Sequence, residues 1–87
     1  MAIGRFIWTR HAERRLRERR LTRAEVELAI RKGHSDRLPN RGDADWRVYG
    51  SRADGRSFVV IYDNPVKRDR TAVEIVSVWP LRRARRH

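Results

Sequence analysis

Cysteine is absent from the 87 residues. That excludes a disulfide framework and a thiolate metal site, and it suits a reducing compartment, so a cytoplasmic location is expected. Long apolar runs are missing as well. None approaches the ~20 residues of a membrane-spanning helix, and no membrane contact is expected. Met1–Trp8 has one arginine and a short apolar patch, without the length or cleavage site of a signal peptide. No repeat and no Pro/Gly/Ser-rich linker divides the chain. Residues 1–80 therefore read as a single domain and 81–87 as a basic tail. No His/Asp/Glu group has metal-ligand spacing and no glycine-rich phosphate loop occurs, so neither metal nor cofactor is expected.

Positive charge is abundant. Twenty-two Lys+Arg face eleven Asp+Glu, a formal net charge of +11. Every basic residue but Lys32 and Lys67 is arginine, whose planar guanidinium forks onto phosphate oxygens. GC-rich codon usage also enriches arginine, so the bias alone does not decide function. The net charge says more. Self-repulsion of this size destabilises a small compact domain unless an anion is usually close, either nucleic acid or an acidic protein. A chain this short buries only roughly 60–65% of its unfolded surface, which leaves a thin core.

Phe6-Ile7-Trp8 reads as a short first strand. Thr9 then caps a helix running to about Arg20. At 100° per residue Ala12 and Leu16 form a narrow apolar stripe. His11, Arg15 and Arg19 run beside it, with Glu13, Arg14 and Arg17 on the far side. A second helix opens with the capping box Thr22-Arg23-Ala24-Glu25 and buries Val26, Ala29 and Ile30. Arg31 and Lys32 suit its negative end, and Gly33 reads as its C′ residue. Leu28 lies off the buried face and is a candidate partner contact. His34–Asp45 reads as a loop. Strands follow at Trp46–Gly50, Ser57–Tyr62 and Thr71–Trp79, the first two joined through the hairpin signal Asp54-Gly55. Pro80 ends the last strand. The expected fold is α+β: a short N-terminal strand, a two-helix hairpin and a three-stranded antiparallel sheet with the helices on one face.

The run His11-Ala12-x-x-Arg15-x-x-x-Arg19, then Thr22-x-x-Glu25-Val26 and Ala29-Ile30-x-x-Gly33, resembles a bacterial domain family of unknown function whose members read HAxxRxxxRGI. Val76-Ser77-Val78-Trp79-Pro80 is similar to its closing strand. That family is placed near the RelE/ParE-like toxins of toxin–antitoxin systems. The resemblance implies a RelE-like β-α-α-β-β-β sheet, an RNA-directed activity on mRNA, on the ribosome or off it, and neutralisation by an acidic antitoxin. Two positions depart from the pattern. Arg20 stands where glycine is common, so the turn between the helices is capped differently. Trp79 stands where tyrosine is commoner, and an indole stacks on a base but serves as neither acid nor base.

Cleavage of RNA through its 2′-hydroxyl requires a proton acceptor, a proton donor and cations around the developing phosphorane charge. His11 is the best acid/base candidate, since histidine ordinarily titrates at about 6.5. Arg15 and Arg19 follow one and two turns along. Tyr49, Tyr62 and Arg56 come from the sheet. Of these, His11, Arg15, Arg19 and Tyr62 form the candidate catalytic set. Arg56, Trp79, Arg82 and Arg83 form the candidate nucleic-acid contacts, and Trp46 is a further stacking candidate. Each has a structural alternative. A histidine near a helix start often caps, arginines pair with neighbours such as Glu18, and aromatic residues fill a small core. His34 and His87 are expected to be solvated. Three functions compete: a metal-independent endoribonuclease toxin, a non-catalytic nucleic-acid-binding or ParE-like inhibitory module, and an antitoxin-bound interaction protein without activity of its own.

Overall fold

A computed structural model describes residues 3–81. Five strands, β1 (Arg5–Trp8), β2 (Leu38–Pro39), β3 (Trp46–Ser51), β4 (Ser57–Asp63) and β5 (Ala72–Pro80), form one sheet in the order β1-β5-β4-β3-β2. Helices α1 (Arg10–Glu18) and α2 (Arg23–Gly33) lie between β1 and β2 in the chain and pack on β5 and β3 respectively. The α+β class stands, but the sheet is larger than the three-stranded meander expected. β1 joins it as a parallel neighbour of β5, in register Phe6↔Val73 and Trp8↔Ile75. The loop expected at His34–Asp45 holds a 3₁₀ turn, His34–Asp36, and the two-residue β2 paired to Trp46 and Arg47. The first strand is where the sequence places it, but its partner lies some 67 residues on and is not set locally. β2 is only two residues long, too short for hydrophobic periodicity to register.

Capping sets both helices. Thr9 Oγ1 accepts from Ala12 N at 3.0 Å and donates to the Ile75 carbonyl at 2.9 Å, so one hydroxyl starts α1 and ties it to β5. Glu25 N donates to Thr22 Oγ1 at 3.1 Å while Thr22 N donates to Glu25 Oε1 at 2.9 Å, completing the capping box of α2. α1 ends at Glu18, two residues before the expected end, in a Schellman motif. Leu21 N reaches Leu16 O at 3.0 Å and Arg20 N reaches Arg17 O at 3.2 Å. Leu16 and Leu21 are both buried, the apolar contact this motif favours. Arg20 occupies the left-handed position with φ 56°, where the resembling family carries glycine. Gly33 is not a C′ residue. It is the last residue of α2, with φ −98°, and a Cβ there would stand 3.2 Å from Val48.

The core lies between the helices and one face of the sheet. Val48, Phe58, Val60, Tyr62, Val73, Ile75 and Val78 meet Ala12, Leu16, Val26 and Ile30 there. β5 keeps its apolar face through a bulge. Tyr62 pairs with Ile75 and Ile61 with Ser77, so Val76 has no partner on β4 and the alternation restarts with Val78 inward. Gly50 lets α2 approach the sheet closely. A Cβ on it would collide with the Phe58 ring and lie 2.8 Å from Ala29 Cβ. The β3–β4 hairpin turns at Gly55, φ 86°, as the Asp-Gly signal predicts.

Candidate nucleic-acid interface

β1 ends beside Ile75, while β5 continues to Pro80. Beyond that point α1, not another strand, runs along β5. A trough of about 410 Å³ opens between them, lined by Arg15, Arg19, Ser77, Trp79 and Pro80. The cause is local. Ala12 and Leu16 are the apolar stripe of α1 and both are buried, which turns the neighbouring Arg15/Arg19 stripe toward the strand edge. The Schellman turn stops the helix so that Arg19 sits at its C-cap.

The trough is cationic. Arg15 pairs with Glu18 at 3.3 Å, but both side chains are well exposed and such a pair contributes about 0–1 kcal/mol. The Arg19 side chain has no hydrogen bond or ion pair among the described residues. Among the described residues no carboxylate lines the trough. Two guanidiniums beside Trp79 suit a phosphate with a base next to it. A second basic stripe, Arg10, Arg14 and Arg17, follows on the far side of α1, where Glu13 is engaged by Arg23.

Other arginines serve the fold. Arg31 lies 4.9 Å from the Phe6 ring centroid and donates to Ile3 O at 3.1 Å. Arg37 lies 4.1 Å from the Trp46 ring centroid and donates to His34 O at 2.9 Å. Arg52 donates to Glu25 at 3.0 Å and to Arg20 O at 3.0 Å. The structural alternative therefore holds for these arginines, and Arg15 makes the expected pair with Glu18, while the Arg19 side chain is exposed.

The structure brings Arg15, Arg19 and Trp79 together and separates the other expected residues from them. His11 is exposed one turn before Arg15 and does not line the trough. Tyr62 does not reach it. It is fully buried with its hydroxyl 2.7 Å from His34 Nδ1, and burial, weakly opposed by Arg37, pushes its phenol up to about 12. A phenol so placed neither meets RNA nor deprotonates near neutrality. Its apolar neighbours in β4 made burial the stronger signal. Arg56 is exposed at the hairpin and pairs with Asp54 at 3.6 Å. Trp46 Nε1 donates to Asn64 O at 3.2 Å, and the ring is covered by Arg37. Arg82 and Arg83 lie outside the described residues.

His34, expected to be solvated, is 5% exposed. Its Nε2 is buried with no partner among the described residues. Burial first, and the Arg37 charge second, hold its pKa below the ordinary histidine value. The polar surroundings in sequence hid this, because the residue that covers it, Tyr62, arrives from β4.

Among the described residues no helix is long and apolar enough to cross a membrane, and no cluster of His, Asp or Glu could hold a metal ion. Residues 8–80 match the model of a protein family described as a domain of unknown function, DUF4258. No curated protein and no solved structure matches the chain.

Proposed function

We propose, from the premise that this chain belongs to the DUF4258 family, that it binds RNA through the trough between α1 and β5. The observation that carries the reading is the convergence of Arg15, Arg19 and Trp79 on one concave surface that no carboxylate among the described residues lines. The net charge of +11 supplies long-range attraction, and the outer stripe Arg10, Arg14 and Arg17 extends the contact around α1. The guanidiniums hold phosphates and the indole holds a base.

A second reading adds cleavage. It rests on His11, whose exposed imidazole lies one turn from Arg15, within the reach of a strand that continues past the trough. A neutral imidazole takes the proton of a 2′-hydroxyl, whose oxygen attacks phosphorus; the bond to the 5′-oxygen breaks, that oxygen takes a proton from water, and the arginines balance the charge that develops on phosphorus. Among the described residues no acid or base lines the trough itself. In this reading the chain is a RelE/ParE-like toxin in the cytoplasm, a metal-independent endoribonuclease held in check by an acidic antitoxin.

Both readings meet one experiment. Purified protein is incubated with labelled RNA, with and without ribosomes, across a salt series. Binding that weakens steeply with salt, and weakens further in Arg15→Ala and Arg19→Ala, supports the trough. Affinity unchanged in both variants removes it. RNA cut by wild type and left intact by His11→Ala supports the toxin reading. RNA that stays whole under every condition leaves the binding module.

A further inference from the structure

On the face of the sheet turned away from the helices, two exposed aromatic side chains share one row. Val48, Val60 and Val78 point into the core, and Gly50 abuts Ala29 and Phe58, so their neighbours Tyr49, Val59 and Trp79 occupy the opposite face. The register places these three side by side across β3, β4 and β5: Tyr49 opposite Val59, and Val59 opposite Trp79. Val59 is only 3% exposed, while Tyr49 is 50% and Trp79 38% exposed. The two aromatic residues thus stand on either side of a covered valine, about 10 Å apart at the backbone from the usual strand spacing.

Charge is graded along this face. The Trp79 end adjoins Arg15 and Arg19 of the trough. Arg47 occupies the adjoining row, opposite Ile61. The carboxylates Asp63 and Glu74 face each other one row further on, at the end away from the aromatics. An anion is drawn to the aromatic end and repelled from the other.

From this arrangement we infer that the row Tyr49–Val59–Trp79 is a stacking platform that selects single-stranded over double-stranded nucleic acid. The inference rests on the RNA-binding reading of the trough and extends it across the sheet. A single strand held by its phosphates at Arg15 and Arg19 lays one base on Trp79 and a later base on Tyr49. Every base has a π-face, so the contact is tolerant of sequence. A duplex hides those faces inside its stack and offers only its backbone. Tyr49 is the new member of the site. Both its phenol and the indole of Trp79 remain accessible, which packing alone would not require.

The test measures fluorescence anisotropy of three labelled probes of equal phosphate count: a single-stranded RNA, a duplex of half its length, and an abasic strand of its full length. The single strand binds most tightly, and removing its bases costs at least about tenfold in affinity. Tyr49→Ala weakens single-strand binding about five- to a hundredfold with the salt slope unchanged, because stacking displaces no counterion. Tyr49→Phe retains the affinity. Circular dichroism confirms that each variant is folded, and the abasic comparison, made on wild type, decides the matter if Tyr49→Ala does not fold. Equal binding of abasic and normal strands, or a folded Tyr49→Ala with wild-type affinity, overturns the platform. Arginine-dependent binding surviving that result leaves the trough standing. No binding of any probe at low salt overturns both, and points to a protein as the cover of these aromatics.

Discussion

The trough beside α1 has a counterpart on the other side of the molecule. β2 is only two residues long and leaves β3 without an outer strand from Val48 to Ser51, just as β1 leaves the end of β5. In both places a helix runs beside the open strand edge. The second groove, of about 440 Å³, is lined by Leu28, Ala29, Tyr49 and Gly50 together with Glu25, Lys32, Ser51 and Ala53. Its chemistry is different. Leu28 is exposed there as the sequence suggests, and the carboxylate of the groove, Glu25, is engaged by Arg52 and by the backbone of Thr22. Desolvation pushes the Glu25 carboxyl up, and those contacts together outweigh it and hold the group below its ordinary value. One architecture therefore yields a cationic trough and a largely apolar groove. What differs is the stripe that each helix turns to the strand edge: Arg15 and Arg19 from α1, Leu28 and Lys32 from α2.

The sharpest way to break this contrast is to strip the trough of its charge. Arg15→Ala combined with Arg19→Ala is expected to lower RNA affinity about a hundredfold at moderate salt, at roughly 1.5 kcal/mol per charged hydrogen-bonded group. The salt slope falls by about one for each phosphate left without its arginine. Leu28→Ala, in the other groove, leaves both quantities unchanged. Equal effects from the two grooves, read by anisotropy titration, would abolish the distinction.

Filling the floor of the apolar groove comes next. Gly50→Ala forces a methyl group against the Phe58 ring and Ala29, both closer than van der Waals contact permits. A loss of about 1–3 kcal/mol in urea unfolding is expected. Neither neighbour is the end of a flexible surface chain, so little relief is available.

The buried pair His34–Tyr62 adds a dependence on pH. His34 is held by Tyr62 from β4, with Arg37 donating to its carbonyl and lying in turn over Trp46. Because its folded pKa lies below the unfolded value, the unfolded chain binds the extra proton more readily. Its contribution to stability is complete above about pH 6.5 and is lost as the pH falls toward the folded pKa. Melting temperature should therefore drop from neutral to mildly acid pH, and His34→Gln should flatten that drop. A wild-type profile flat over this window would contradict the burial of the imidazole.

The smallest effect expected is a gain. Arg20→Gly relieves a left-handed backbone at the link between the two grooves, where Arg52 also reaches the Arg20 carbonyl. An increase of about 1 kcal/mol is expected in the same unfolding assay, with RNA affinity nearly unchanged.

How far the chain could be read depends on the range of the interaction. Thr9, the Thr22–Glu25 box, the Asp54-Gly55 turn and the three long strands were legible, because each is decided by residues within a few positions of one another. The stripe His11/Arg15/Arg19 was legible for the same reason, and so was its place beside the buried stripe of α1. Tyr62 and His34 were assigned the wrong surroundings as site and solvated residues, since each is buried by a partner 28 positions away. Tyr49 was noted as a sheet residue near the site. Its place in a row with Trp79 depends on two strand registers and a bulge, which local sequence does not specify.

By itself the sequence determined the helices with their N-terminal caps, the α+β class, the excess of arginine and the absence of thiols and long apolar runs. These follow from composition, periodicity and short-range hydrogen bonding. Tertiary structure alone decided that β1 pairs with β5, that two strand edges stay open beside the helices, and that Arg15, Arg19 and Trp79 share a trough while Tyr62 does not. The physical reason is that pairing across long loops is chosen by the summed packing of the whole core, and no single segment carries that sum.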